Sequence, residues 1–227
     1  MGAKSHLVQQ VADQLARYGT SLPGIPGNDP AWVGTPARVH RRCGRPMSDI
    51  SNSIAYVGLM VFGTEDRDRF HGRDAWYDVR SGVADGHRIP AEGEALREML
   101  TSLRDAEIPV AEIRVLSPFR KVVGEAMKVH RAVFPKVTAK DREDWVGIVH
   151  TMQGKEANVV ILVLGGSPGH PGAREFATRA PNLLNVAVTR AHRRLYVIGN
   201  LETWGGEPYF KVRPTHIPPW HPMHQPS

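Results

Sequence analysis

Cysteine is almost missing from this chain: Cys43 is the single one in 227 residues. One thiol excludes an intrachain disulfide and any zinc site built from several thiolates. Long apolar runs are missing as well, and no stretch approaches the roughly 18 residues of a membrane span. The start, Met1 to His6, leads into an amphipathic stretch where a secretory signal would have an apolar core. These absences predict a cytoplasmic protein that works away from membranes. Hydrophobic residues, at 41%, are plentiful enough for a sizeable core, which excludes general disorder. The length predicts one α/β domain with appendages.

Acidic residues are the minority charge, 23 against 29 Lys plus Arg, giving +6. Of those cations 22 are Arg and 7 are Lys. An arginine-rich basic chain suits anionic partners, nucleic acid foremost, because the guanidinium fork matches phosphate. Arginine-rich codon usage explains the same numbers equally well.

Helical spacing of Leu7, Val8, Val11, Leu15 and Tyr18 predicts a leader helix over 6–18 with Gly19 as its stop. Pro23, Gly24, Pro26, Gly27 and Pro30 predict an irregular linker, so residues 1–37 read as leader and linker. A basic cluster at 38–45 precedes an apolar helix over 47–62. The charged stretch 64–90 reads as a surface excursion with one strand near Trp76–Val79. Pro90 opens a helix over 91–106, with Glu92 and Glu94 where the helix dipole favours them.

From residue 112 strands and helices alternate. Strands are predicted at Ile113–Ser117, Val146–Val149, Val159–Leu164 and Leu195–Gly199, with helices over 119–133 and 182–192. Continuous apolar strands separated by helices predict a parallel sheet with helices on both faces. Ligands in such folds sit at the carboxyl ends of strands. Six prolines among the last 20 residues set 205–227 apart as a tail outside the core.

Four segments carry candidate chemistry. His150-Thr151-Met152-Gln153-Gly154-Lys155-Glu156 joins two strands and offers a hydroxyl, an amide, a turn glycine and a carboxylate. It suits phosphate or ribose binding, and equally a polar turn that needs Gly154 for its dihedral angles. The helix Asn182–Ala191 ends in Arg190, either a phosphoryl-stabilising arginine or half of an ordinary ion pair. The 38–45 cluster, with Arg42 at its centre, is either a solvated basic face or a phosphate contact. Ser117-Pro118-Phe119 at a strand end offers a hydroxyl and helix-start amides for phosphate and an aromatic ring for a base, or a core phenylalanine. The Gly/Pro loop at 165–172 follows a strand, yet its prolines remove amide donors and it lacks a Gly-Lys-Ser/Thr ending. No metal site is expected, since His216, His221 and His224 have no acidic or thiolate partners beside them.

In this order the four segments resemble the second RecA-like domain of a superfamily 1 (1B-type) helicase. They are similar to the group containing the nonsense-mediated RNA-decay helicase and the replication nuclease-helicase. Val39–Cys43 through Tyr56 resembles the segment after motif III, Ile113–Phe119 motif IV, Val149–Glu156 motif V, and Leu184–Ala191 with Leu195–Asn200 motif VI. The resemblance spans about 6–204 and implies an α/β, RecA-like, P-loop NTPase-type fold, with residues 38–204 as the second helicase domain without its own P-loop. It implies that Arg42 and Arg190 reach the γ-phosphate of ATP with Mg²⁺. Gln153, Gly154 and Glu156 would then hold the nucleotide, and Ser117, Pro118, Phe119, His150 and Thr151 would meet single-stranded DNA or RNA. The sequence contains no Gly-x-x-x-x-Gly-Lys-Ser/Thr, and Asp141–Asp144 does not follow an apolar strand as a magnesium motif would. The expected partner is therefore an N-terminal RecA-like helicase domain that completes the ATP site. The alternative is a non-enzymatic module for nucleic acid or a protein partner.

Overall fold

The computed structural model describes residues 19–22, 31–34, 39–41, 43–45, 47–56, 58–64, 73–152, 154–166, 169, 171–178, 182–207, 209–210, 217 and 219–220. The predicted leader helix, Arg42, Gln153 and the three tail histidines lie outside them.

The sheet is built around β8 (Ala157–Val163), in which every residue except Asn158 is buried. A strand buried on both faces has neighbours on both edges and helices above and below. Beside it lie β6 (Ile113–Ser117) on one edge and β9 (Ala191–Gly199) on the other. With β5 (Ala75–Asp78), β7 (Val146–Ile148) and β10 (Pro219–Trp220), the order is β10-β5-β9-β8-β6-β7, and every pairing is parallel. Parallel crossovers are right-handed, so the direction of each step along the sheet selects the face its helix covers. The connections β5 to β6 and β6 to β7 step one way and carry α2 (Pro90–Asp105) and α3 (Arg120–Val133), which pack together. The connection β8 to β9 steps back and carries α5 (Pro171–Thr178) and α6 (Asn182–Arg190) on the opposite face, where α1 (Met47–Ala55) joins α6. Helices thus cover both faces, as the alternating pattern predicts.

Each packed helix shows its reason in sequence. In α2, Leu96, Met99, Leu100 and Leu103 are buried at helical spacing, and Pro90 sits in the first turn, where a missing N–H costs nothing. In α3, Val122, Ala126, Val129 and Val133 form the buried stripe. Short helices α4 (Ala139–Trp145), capped by the Thr138 hydroxyl, and α7 (Leu201–Gly205), capped by the Asn200 side chain, complete the set.

Several expectations are corrected. The apolar stretch 47–62 is a helix only to Ala55: Gly58 takes φ +77°, and the Asn52 side chain holds the Met60 backbone through both its N–H and its carbonyl. Released from the helix, β4 (Val61–Phe62) pairs in parallel with β3 (Val39–His40). The region 64–90 is more than an excursion, because β5 lies inside the sheet, between β9 and β10. Its Trp76 is fully buried and donates its indole N–H to Gly199 O at 2.8 Å. The proline-rich tail reaches the core through Phe210 and Ile217 and adds the edge strand β10. Within the expected linker, β1 (Gly19–Leu22) and β2 (Ala31–Gly34) form an antiparallel pair. The helix over 182–192 stops at Arg190 and β9 starts at once, four residues before the predicted strand. No described helix is long and apolar enough to cross a membrane.

Candidate functional site

The connection from β7 to β8 decides where the charged residues meet. Strand β7 ends at Ile148, level with Ser117 at the carboxyl end of β6, whereas β8 begins with Ala157 opposite Ala191. Residues 149–156 therefore run back down the α6 face, starting with a 3-10 turn over Val149–Met152. Gly154 completes the turn at φ +89° with open space where a Cβ would stand, so glycine is required there by dihedral angle and not by crowding.

Glu156 is the last residue before β8, Arg190 the last of α6, and His192 the second of β9. The Ala157–Ala191 register makes them neighbours at the amino end of the sheet. One Glu156 carboxylate oxygen lies 3.7 Å from Arg190 Nη1 and the other 3.1 Å from His192 Nε2. Arg190 is only 7% exposed, while the side chains of Glu156 and His192 stay more than a quarter exposed. The surroundings hold this group in place. The Gly44 N–H donates to His192 O at 3.1 Å, beside the buried Cys43. The Ser51 hydroxyl of α1 donates to Asn185 Oδ1 of α6 at 2.7 Å, and the Thr189 hydroxyl donates to Asn185 O. A carboxylate set between a buried guanidinium and a partly exposed imidazole occupies a place that also suits phosphate.

At the carboxyl end of the sheet, where the fold rule places ligands, the described residues bond to one another instead. Gly165 follows β8 at φ +60°, and its N–H donates to Glu92 Oε2 at 2.8 Å. The next amide, of Gly166, donates to His87 O at 2.9 Å, and Trp204 Nε1 donates to Gly165 O at 2.9 Å. Phe119 stacks on His87 with ring centroids 4.3 Å apart and leans on Trp204. A Cβ on Gly165 would lie 2.5 Å from both His87 O and Val122 Cγ2. Glu92 is not the exposed dipole partner its position suggests. It is 2% exposed, and burial pushes its carboxyl up to about 8 against the Gly165 bond that lowers it. The Gly165 and Gly166 amides are consumed internally and are not offered to a phosphate.

The expected nucleic-acid residues divide. Ser117 is 1% exposed and its hydroxyl oxygen accepts the Phe119 N–H at 3.2 Å, and Phe119 is 8% exposed. Both are core groups that present no side chain to a strand, because the sheet end they close is packed with aromatic rings. Pro118 is half-buried, whereas His150 and Thr151 are exposed, with the Thr151 hydroxyl donating to Ile148 O at 2.9 Å. Glu156, Gly154 and Arg190 come together, while Arg42 and Gln153 lie outside the described residues. Sequence reasoning missed His192, and the only local signal for it was a histidine two places beyond Arg190. Among the described residues no group of three or more His, Cys, Asp or Glu side chains is placed to hold a metal ion.

Comparison with known proteins identifies the family. Residues 55–202 match the model described as an AAA domain, and the chain belongs to that family. A curated relative, the DNA polymerase alpha-associated DNA helicase A of Saccharomyces cerevisiae, is 32% identical over 137 residues, which is 56% of this chain. The match takes in 19% of the yeast protein, so the chain spans about a fifth of that relative's length. Two solved structures are similar at low identity. The C-terminal domain of a possible DNA helicase from Lactobacillus plantarum WCFS1 has a TM-score of 0.41 and 12% identity, covering 70% of this chain and 86% of that one. The Arterivirus nonstructural protein 10 helicase has a TM-score of 0.39 and 15% identity, covering 78% of this chain and 28% of that one. The fold assignment stands on the strand order and register above, independently of these superpositions. The family match and the yeast relative bear out the resemblance to a helicase domain read from the motifs.

Proposed function

We propose that this AAA-domain chain is the C-terminal motor half of an ATP-dependent helicase acting on DNA or RNA, its ATP site completed by a first RecA-like domain. The observation that supports this reading is the Arg190–Glu156 contact, which joins the two segments resembling motifs V and VI at one end of the sheet. In the proposed arrangement Arg190, with Arg42, approaches the γ-phosphate, and a guanidinium stabilises charge there without titrating. Glu156 passes from Arg190 to a ribose hydroxyl, with Gly154 fixing the turn, and Gln153 is assigned to the same nucleotide. Among the described residues the donor set suits an anion and a sugar hydroxyl and includes no carboxylate cluster for Mg²⁺, whose ligands are proposed to come from the first domain. His150, Thr151 and Pro118 form the surface proposed for a single strand at the opposite end.

Fusion to a first domain that carries a phosphate loop, followed by measurement of nucleic-acid-stimulated ATP turnover, tests this. Arg190→Ala is expected to lower turnover by about 10³-fold or more, the usual contribution of such an arginine. Turnover within about threefold of the parent rejects the role of Arg190. Salt-dependent strand binding by the chain, with no ATP turnover in any fusion, supports the non-enzymatic binding module instead.

A further inference from the structure

Every exposed charged residue of α3 is a cation, and none of the motifs accounts for this. The exposed residues of α3 are Arg120, Lys121, Gly124, Lys128, Arg131 and Ala132. At 3.6 residues per turn the four cations fall within an arc of about 100°, on the side away from the buried stripe of Val122, Ala126, Val129 and Val133. The acids that reach this arc are few. Lys121 meets Asp85 at 3.3 Å, and Lys128 meets Glu125 at 3.6 Å, a carboxylate already held by Arg88 at 3.1 Å. Arg120 and Arg131 form no ion pair among the described residues. Helix α2, its packing partner, shows what an ordinary solvated face looks like: Glu94 with Arg97 and Arg104 with Asp105 alternate and pair. Gly124, midway along the arc of α3, would meet nothing within 4 Å if it carried a Cβ, so the middle of the stripe is flat and open.

We propose that this face of α3 binds the sugar–phosphate backbone of a nucleic-acid strand, an inference that rests on the helicase-domain reading. Two observations choose nucleic acid over an acidic protein. The stripe begins at Arg120, three residues after Ser117, at the same end of the sheet as the exposed His150 and Thr151 but on the α2 face, so a strand leaving that end meets its first cation. It then runs straight for about 16 Å from Arg120 to Arg131 at 1.5 Å per residue, a linear spacing of cations without an apolar anchor. Repeating charge answers to such a row, whereas a protein partner needs a buried apolar centre.

The test uses the full chain and fluorescein-labelled oligonucleotides of about 20 nucleotides, single-stranded and duplex, titrated by anisotropy at several salt concentrations. For the single strand, each neutralised phosphate contributes about 0.7 to the slope of log affinity against log salt. The triple variant Arg120→Ala/Lys128→Ala/Arg131→Ala is expected to make that slope shallower by about 2 and to weaken low-salt binding more than tenfold. Replacing the two arginines by lysine is expected to keep the slope, and Arg97→Ala/Arg104→Ala on α2 to change nothing. An unchanged slope in the triple variant, with binding still lost in His150→Ala/Thr151→Ala, overturns the α3 assignment and leaves the helicase reading intact. Absence of salt-dependent binding in the parent chain overturns both. Competition by polyglutamate equal to that by unlabelled strand, at equal charge, assigns the face to an acidic protein and overturns the proposal.

Discussion

The two ends of the sheet are built on opposite plans. At the carboxyl end, segments following β5, β6, β8 and β9 converge, and their polar groups satisfy one another: Gly165 with Glu92, Gly166 with His87, Trp204 with Gly165. Aromatic rings fill what remains. At the amino end, the side chains of Glu156, Arg190 and His192 meet, with Arg190 buried behind a partly exposed Glu156 and His192. The Gly165, Gly166 and Trp204 donors at the first end are spent on internal acceptors, whereas the Glu156 carboxylate at the second is partly exposed and open to exchange. Among the described residues, the crevice that doubly wound folds ordinarily use is packed by internal contacts, and the partly exposed carboxylate lies at the other end.

Breaking the closed end has the largest expected effect. Gly165→Val places carbon 2.5 Å from His87 O and Val122 Cγ2 at a positive φ, so stability is expected to fall by about 3 kcal/mol or more. Chemical denaturation measures it, and a loss below about 1 kcal/mol would show that the crevice is loosely packed. Next in size is the charge state of Glu92. Its carboxyl is raised from 4.5 to about 8, so the folded protein favours the protonated form. The stability this confers is complete below the unfolded value near 4.5 and is lost as pH rises through about 8. Glu92→Gln keeps an acceptor for the Gly165 N–H and removes the titration. Parent and variant are expected to melt nearly alike near pH 5, and the variant to be more stable by a few kcal/mol near pH 9. Parallel pH profiles would place the titration elsewhere.

The open end is expected to respond more mildly. Gly154→Ala meets empty space and suffers only from φ +89°, a cost of about 1–2 kcal/mol with no packing defect. A larger loss in the denaturation midpoint would mean the turn is as crowded as Gly165. Smallest is Glu156→Gln, which removes the carboxylate competing for Arg190. Affinity of the chain for inorganic pyrophosphate, followed calorimetrically, is expected to rise by about fivefold, near 1 kcal/mol. Unchanged affinity would show that Arg190 is not released by losing this partner.

Strands β6, β7 and β8 were legible because each is a compact apolar run, and α2 and α3 because their buried residues recur at helical spacing. Strand β5 was legible as a strand and misplaced, since a charged neighbourhood hides that Trp76 lies between two other strands. The tail misled in the same way: its prolines signal irregular backbone, yet Phe210 packs edge-on against Trp76 at 6.3 Å, a contact with no local trace. Gly154, Glu156 and Arg190 were picked out by motif wording, and the structure brings the last two within 3.7 Å of one another. Ser117 and Phe119 were given the wrong surroundings because burial at a sheet end depends on His87, Trp204 and Val122, which the local wording does not place there.

Composition, apolar periodicity and motif order determined by themselves that this is a parallel α/β chain of helicase type with a basic surplus. Local patterns are enough for that, because strand and helix periods and turn glycines act over a few residues. Which end of the sheet is sealed, and which carries the charges that can open, was decided only by tertiary structure. Segment 149–156 carries Glu156 back to the amino end of β8, and strand register sets it against Arg190 and His192. The surplus charge likewise becomes a surface only when α3 folds and turns its cations to one side, away from its valines.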